Sequence, residues 1–225
     1  VEPRTDSEQL GGVLEIRRDF GVTELVSVTG VETLEREYAI GDMVPVRIAE
    51  ASFDEDLQSF FQELRVDYQP TDAFRWLSGA TYNQDDIDYF RALSGLDFLL
   101  GALGTAYNED DRAWALWTQA EWQFAPGWEL NGSLRYTDEK KVYDGGSFDI
   151  DPFDTSIVGL VFPNVVPDGL FARTTYEDDD VSGHAGLNWE PSENSLYYLT
   201  VSRAFKSGGF DGSGITEPVS FLPYG

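Results

Sequence analysis

Asp180-Val-Ser-Gly-His-Ala-Gly-Leu-Asn-Trp-Glu190 alternates without a break. Val181, Gly183, Ala185, Leu187 and Trp189 share one side of an extended chain, and Asp180, Ser182, His184, Gly186, Asn188 and Glu190 share the other. Successive side chains of a strand point to opposite faces, so a period of two marks a β-strand with one apolar face. Working outward, Arg112 to Phe124 sets Trp114, Leu116, Ala120, Trp122 and Phe124 against Gln119, Glu121 and Gln123. Glu129 to Asp138 sets Leu130, Gly132, Leu134 and Tyr136 against Asn131, Ser133, Arg135 and Thr137, and Gln58 to Tyr68 sets Phe60, Leu64, Val66 and Tyr68 against Glu63, Arg65 and Asp67.

Four more stretches follow the same rule. Leu10 to Arg17 aligns Leu10, Leu14 and Ile16. Ala73 to Asn83 aligns Phe74, Trp76, Ala80 and Tyr82. Ser195 to Lys206 aligns Tyr197, Leu199, Val201 and Phe205, interrupted by Arg203. Val22 to Val31 aligns Val22, Val26 and Val28, with Glu24 among them. Only Tyr89 to Leu103 suggests a short helix, placed inside a loop. The links at 18–21, 69–72, 125–127 and 191–194 are short and built from Gly, Pro, Asp and Asn, the residues of tight turns. The links at 32–57, 84–111 and 139–179 are long and acidic. The pattern predicts an all-β, antiparallel up-and-down meander of about eight strands, tight at one end and opening into large loops at the other. Short turns on one side and long loops on the other are the habit of transmembrane β-barrels, whose spanning strands need ~9–11 residues.

Charge and composition narrow the function. With 41 Asp and Glu against 15 Lys and Arg, the net charge of −26 excludes an ordinary nucleic-acid binder, which needs clustered cations. The absence of Cys removes disulfides, thiolate catalysis and Cys-based metal sites. Six Trp, 11 Tyr and 15 Phe are too many aromatics for a disordered acidic chain. No run reaches the ~18–20 apolar residues of a membrane-spanning helix. The chain starts at Val1 with no basic and apolar leader, and its last residues end no recognisable element, so it reads as a piece of something longer.

Alternation is silent on whether the apolar face meets lipid or a dry core. The aromatic residues favour lipid. Tyr68, Phe74, Trp76, Phe124, Trp128, Trp189 and Tyr197 lie near the short turns, and Tyr82, Trp114 and Tyr136 lie toward the long links, with small residues such as Ala120, Gly132 and Ala185 between them. Trp and Tyr collect where an apolar ring and a polar tip are both satisfied, at membrane–water interfaces. On that reading Leu134, Tyr136, Val181, Leu187, Trp122 and Phe124 point outward, and Glu63, Arg65, Gln119, Glu121, Arg135 and His184 line a wet interior. A soluble barrel would reverse the two sets.

Four segments carry a family resemblance. Leu196-Tyr-Tyr-Leu-Thr-Val-Ser-Arg-Ala-Phe-Lys-Ser-Gly-Gly-Phe210 resembles a "Y-x-S-R-G-F-K-S-G-G-F" strand of TonB-dependent outer-membrane receptors, with Ala204 where Gly is usual. The matching positions are Ser202, Arg203, Phe205, Lys206, Gly208, Gly209 and Phe210. Leu134-Arg-Tyr-Thr-Asp-Glu-Lys-Lys141 resembles that family's "L-R-Y-T-x-E-K-K", through Leu134, Arg135 and Tyr136. Phe61-Gln-Glu-Leu-Arg65 resembles its "F-S-Q-E-L-R", through Gln62, Glu63, Leu64 and Arg65, and Val181 to Trp189 its "V-S-G-K-x-G-L-x-Y". The four come in the family's order and cover nearly the whole chain. The resemblance implies an arc of a large barrel, 22-stranded in this family, with a plug that couples to TonB and the proton-motive force. The plug, the TonB box and a complete barrel are not among residues 1–225. It implies uptake of a scarce nutrient such as a ferric siderophore, in the outer membrane of a Gram-negative bacterium. The partners would be outer-membrane lipid, the TonB complex through the missing plug, and a small-molecule ligand such as a metal chelate, with no cofactor and no enzyme chemistry.

The residues offer little support for other chemistry. Acidic clusters at 54–56, 85–88, 109–111, 149–154 and 177–180 suit Ca²⁺ by ligand type, but none has the EF-hand spacing, and solvated loop charge is the simpler reading. His184 is the only imidazole and reads as a hydrogen-bonded, interior-facing side chain. A soluble secreted ligand- or glycan-binding module shares the alternation, as does a hydrolase with paired carboxylates. Detergent dependence separates both from a membrane barrel. The acidic loops, expected to be mobile and ligand-facing, favour a cationic, neutral or metal-bridged ligand over a free anion. Residues 10–17 and 195–206 are not expected to pair, leaving an open curved sheet with two edges that is unstable alone.

Overall fold

The chain forms one eight-stranded antiparallel sheet whose strand order follows the sequence, β1 to β8. The structure is a computed structural model and describes residues 3–41, 50–96, 101–150 and 169–210, together with Pro223. The strands are β1 (Arg4–Asp19), β2 (Thr23–Ile40), β3 (Glu50–Thr71), β4 (Phe74–Leu96), β5 (Gly101–Ala125), β6 (Trp128–Asp149), β7 (Leu170–Ser192) and β8 (Ser195–Arg203). Each pairs with its sequence neighbours, as the meander reading requires, and β1 and β8 stand at opposite ends of the sheet.

The short turns sit where the sequence places them. Gly21 takes a φ of 84°, Phe20 N–H donates to the Thr23 carbonyl at 2.8 Å, and the Asp19 carboxylate accepts from Gly21 N–H at 2.6 Å. Gly127 takes a φ of 74° between β5 and β6. Left-handed backbone of this kind favours glycine.

Three expectations are corrected. The links at 32–57, 84–111 and 139–179 are largely strand: β2 runs to Ile40, β3 starts at Glu50, and β4 to β7 run 22 or 23 to 25 residues each. Beyond the apolar band the outward face turns acidic and the inward face mixes aromatics with acids, so the hydrophobic period breaks down while the backbone ladder, indifferent to side-chain polarity, continues. The suggested helix at Tyr89–Leu103 is β4 and the start of β5, with Tyr89 directly opposite Tyr107; residues 97–100 lie outside the described residues. Parts of the acidic links, at 42–49 and 151–168, lie there as well.

The third correction concerns β2. The Asp19–Thr23 turn pairs Asp19 with Glu24, so Leu14 and Ile16 face the same side as Thr29 and Ser27. Val26 and Val28 therefore lie with Arg65 and Glu63, and Val26 is 3% exposed there. The outward positions of β2 are Leu25, Ser27, Thr29 and Val31. The two hydroxyls are satisfied laterally: Thr29 Oγ1 donates to Gln62 Oε1 at 2.6 Å and Gln62 Nε2 donates to Ser27 Oγ at 3.1 Å.

Register carries the two faces across the whole sheet. Leu10, Leu14, Leu64, Leu116, Leu134 and Leu199 share one face and keep between 55% and 72% of their surface exposed. Val26, Leu103, Thr105, Ala115, Tyr143 and Ser147 share the other, and all are buried. Crowding on the second face marks it as the concave side of a curved sheet. The interior of this molecule is thus its polar side.

Candidate functional site

The convex face is banded. At the short-turn end an aromatic row runs from β5 to β8: Trp122 to Phe124 at 5.8 Å between centroids, Phe124 to Trp128 at 6.3 Å, Trp128 to Trp189 at 5.2 Å and Trp189 to Tyr197 at 5.3 Å. A second row pairs Phe60 with Tyr82 at 6.2 Å and Trp114 with Tyr136 at 5.4 Å. From Trp128 to Tyr136 on β6 the chain advances about 26 Å at ~3.3 Å per residue, or about 20 Å of height at a ~40° tilt. Leucines, Ala120, Gly132 and Ala185 fill the interval. Two aromatic girdles flanking an apolar belt of this height are the surface a barrel presents to a bilayer. Above the second girdle the convex face turns acidic, with Asp54 and Asp56 on β3, Asp86 and Asp88 on β4, and Glu177 and Asp179 on β7.

Behind the belt, the concave face is charged and wet. Arg65 Nη1 lies 3.1 Å from Glu63 Oε1, Arg75 pairs with Asp67 at 2.5 Å, and Gln119 Nε2 donates to Glu121 Oε1 at 3.0 Å. Arg135 donates to Thr81 and Thr137, both at 3.2 Å. Ser133 Oγ and His184 Nδ1 are 2.7 Å apart, which bears out an interior, hydrogen-bonded histidine. The outward and inward sets expected from alternation hold throughout β3 to β7.

Above the belt the concave face becomes aromatic. Tyr89 on β4 and Tyr107 on β5 are register partners stacked at 4.8 Å, Tyr107 lies 5.1 Å from Tyr143 on β6, and Tyr143 lies 5.6 Å from Phe210. Burial raises the phenol pKa of Tyr89, Tyr107 and Tyr143. On the same face of β5 follow Glu109 and Asp111. Desolvation and the Asp111 charge push Glu109 up to about 7, and desolvation raises Asp111. Lys141 Nζ bridges Glu139 Oε1 at 3.2 Å and Asp111 Oδ2 at 3.6 Å.

The motif residues are not one site. Gln62 and Leu64 face outward, Glu63 and Arg65 inward; Leu134 and Tyr136 face outward, Arg135 inward. The third motif does gather. β8 stops at Arg203, short of the expected Lys206; there the Arg203 guanidinium binds the Asp180 carboxylate at 2.6 Å and donates to the Val181 carbonyl. Phe205 and Lys206 follow in irregular chain, with Ser202 the last inward residue opposite His184. Gly208 and Gly209 are buried, Gly208 N–H donates to Tyr176 Oη at 3.2 Å, and Phe210 packs on Tyr143. Sequence reading missed Tyr89, Tyr107 and Tyr143. The signal was there in Tyr107, Glu109 and Asp111 at a spacing of two. Among the described residues no group of three or more His, Cys, Asp or Glu is placed to hold a metal ion.

An antiparallel meander with a girdled outer face and a wet inner face is the wall of a transmembrane β-barrel. A family model described as TonB dependent receptor-like, beta-barrel matches residues 19–220, and the chain belongs to that family. Barrels of this family are outer-membrane proteins of Gram-negative bacteria. Solved structures share the fold at low identity. The ferric yersiniabactin uptake receptor FyuA from Yersinia pestis aligns with a TM-score of 0.75 at 12% identity, over 98% of this chain and 31% of its own. The siderophore receptor PiuA from Acinetobacter baumannii gives 0.67 at 12%, over 98% and 35%. The ferric-catecholate import receptor Fiu from E. coli K12 gives 0.65 at 13%, over 98% and 37%. The chain thus spans about a third of the length of these receptors. No curated protein sequence matches it.

Proposed function

We propose that residues 1–225 are an arc of the barrel wall of a TonB-dependent receptor that takes up a scarce nutrient such as a ferric siderophore. The observation that carries this reading is the girdled convex face on a chain of this family, backed by a charged concave face. Closing eight strands on themselves would leave room for little more than side chains, and would crowd Glu63, Arg65, Asp67, Glu121 and Arg135 into a dry interior at high cost. Further strands of a larger barrel relieve both problems by pairing with β1 and β8. The fold-sharing ferric yersiniabactin uptake receptor and ferric-catecholate import receptor support an iron chelate as cargo. In this reading the ligand is carried unchanged, so the wall needs no bond-making residues or cofactor. The TonB complex acts through a plug, and lipid covers the belt. A soluble binding module is disfavoured because its apolar face would form a core, whereas Leu116 and Leu134 stay 55% and 60% exposed.

The test is uptake. The full-length receptor, expressed in a Gram-negative strain stripped of its own siderophore receptors, should restore radioiron accumulation from a supplied ferric siderophore and lose it when TonB is deleted. Recovery of the protein in the soluble fraction, or accumulation indifferent to TonB, overturns the reading.

A further inference from the structure

High on the convex face, the acidic band meets a second set of rings. Register lines up two rows of facing residues there. Asp56, Asp88, Asn108 and Asp144 form one, across β3 to β6; Asp54, Phe90, Ala106, Gly146 and Phe171 form the next, across β3 to β7. Phe148, one row further up, lies 6.4 Å from Phe90 and 6.0 Å from Phe171. Phe90 and Phe171 flank a groove of about 430 Å³, floored by Ala106 and Asn108 and edged by the four carboxylates. Phe171 keeps 57% of its surface exposed, so its neighbour leaves most of the ring free. From Tyr136 to Phe148 the chain advances about 40 Å, or about 30 Å of height, which sets the groove clear of the lipid belt.

Asp54, Asp56, Asp88 and Asp144 are all exposed. Among the described residues the one cation that meets them is Arg173, 3.7 Å from Asp144. Asp88 accepts from Asn108 Nδ2 at 3.2 Å. Like charges directly opposite across strands, as Asp56 and Asp88 are, destabilise a sheet, and a cation set between them removes the repulsion.

We propose that this groove docks an Arg or Lys side chain from a basic segment of a second protein lying against the outer side of the barrel wall. The carboxylates alone are solvated charge; the rings beside them make a site. A long cationic side chain lays its apolar stem on Phe171 or Phe90 and brings its head to Asp54, Asp56 and Asp88. Charge argues against a second copy of this chain, at −26, and against anionic lipid headgroups, since the groove repels both. The inference goes beyond the uptake reading, because it uses the outward placement of the convex face and not the cargo.

The probes are dye-labelled triarginine amide and triglutamate amide, titrated by fluorescence anisotropy into the full-length receptor in detergent. Triarginine should bind and triglutamate should not. Phe171→Ala removes no charge, yet should weaken triarginine about fivefold, and Asp88→Asn should weaken it similarly. Glu35→Gln removes an outward charge on β2, outside the groove, and should change the affinity less than twofold. Added salt screens general attraction to an acidic protein, so the gap between Phe171→Ala and Glu35→Gln should survive it. If Phe171→Ala fails to assemble, Phe90→Ala carries the same test. Equal effects of the ring and Glu35 variants, or an unchanged affinity in a folded ring variant, overturn the site. Displacement of triarginine by maltohexaose, a neutral glycan, overturns it in favour of a sugar-stacking surface. Radioiron accumulation should be unchanged in Phe171→Ala; a loss of uptake equal to the loss of peptide binding would assign the rings to the transport path instead.

Discussion

Trp128 and Trp189 face each other across β6 and β7 as register partners, their rings 5.2 Å apart and within 16° of parallel. The pair sits at the short-turn end of the convex face, where it anchors the lower girdle. Five of the six tryptophans share that face; Trp117 alone points inward. In single-tryptophan versions of the full-length receptor reconstituted with brominated lipid, Trp128 and Trp189 should be quenched strongly and Trp117 weakly. Equal quenching of all three would mean that the convex face does not meet lipid.

Ala185 lies on the same face near mid-belt, opposite Gly132 on β6. Arg at a lipid-facing position near the bilayer midplane costs about 2–4 kcal/mol. Ala185→Arg should therefore lower unfolding stability in lipid by about that amount. Gln119→Arg, on the concave face beside Glu121, should cost less than about 1 kcal/mol, because the new guanidinium has a carboxylate partner and water. Guanidinium unfolding in liposomes measures both.

Gly127 is constrained twice over. Its φ is 74°, and a Cβ there would strike the carbonyl of Glu190 near the end of β7, whose N–H donates to the Gly127 carbonyl at 2.7 Å. Gly127→Ala should destabilise by about 1–3 kcal/mol, from the left-handed backbone and the displaced turn. Gly21 has a similar φ of 84° but open space around it, so Gly21→Asn should cost under about 1 kcal/mol. The comparison separates backbone strain from collision in the same denaturation assay.

Glu109 should make the wall above the belt pH-sensitive. Its folded pKa of about 7 lies above the ordinary value of 4.5, so the folded state binds the proton more tightly than the unfolded one. Stability is then greatest below the unfolded pKa and falls as pH rises through the folded one. Because the group is only partly buried, the loss is discounted to on the order of 1 kcal/mol. Glu109→Gln should raise the thermal midpoint of the full-length receptor at pH ~8 and leave it unchanged at pH ~4. A variant equally stabilised at both ends would assign the effect to packing rather than to ionisation.

Much of this architecture is written in single residues and their spacing. Val181 to Trp189 and Trp114 to Phe124 declare strands because a pleated chain sends alternate side chains to opposite faces, and Gly21, Pro126-Gly127 and Glu193-Asn194 mark tight turns by their backbone preferences. Alternation is symmetric, however, and says which residues travel together without saying which set lies inside. Curvature decided that, by crowding Ala115 and Tyr143 on one face and leaving Leu116 and Leu134 open on the other. The turn at Asp19–Thr23 decided the register of β2 and sent Val26 inward against the expectation from its own strand. The cross-strand stack of Tyr89, Tyr107 and Tyr143 was the least legible feature. Tyr89, Tyr107 and Tyr143 are 18 and then 36 residues apart in stretches where acids interrupt the alternation, and only the pairing of β4, β5 and β6 stacks them. Periodicity reports one strand's contrast between its two faces, whereas neighbours across strands are set by backbone hydrogen bonds that carry no side-chain signature.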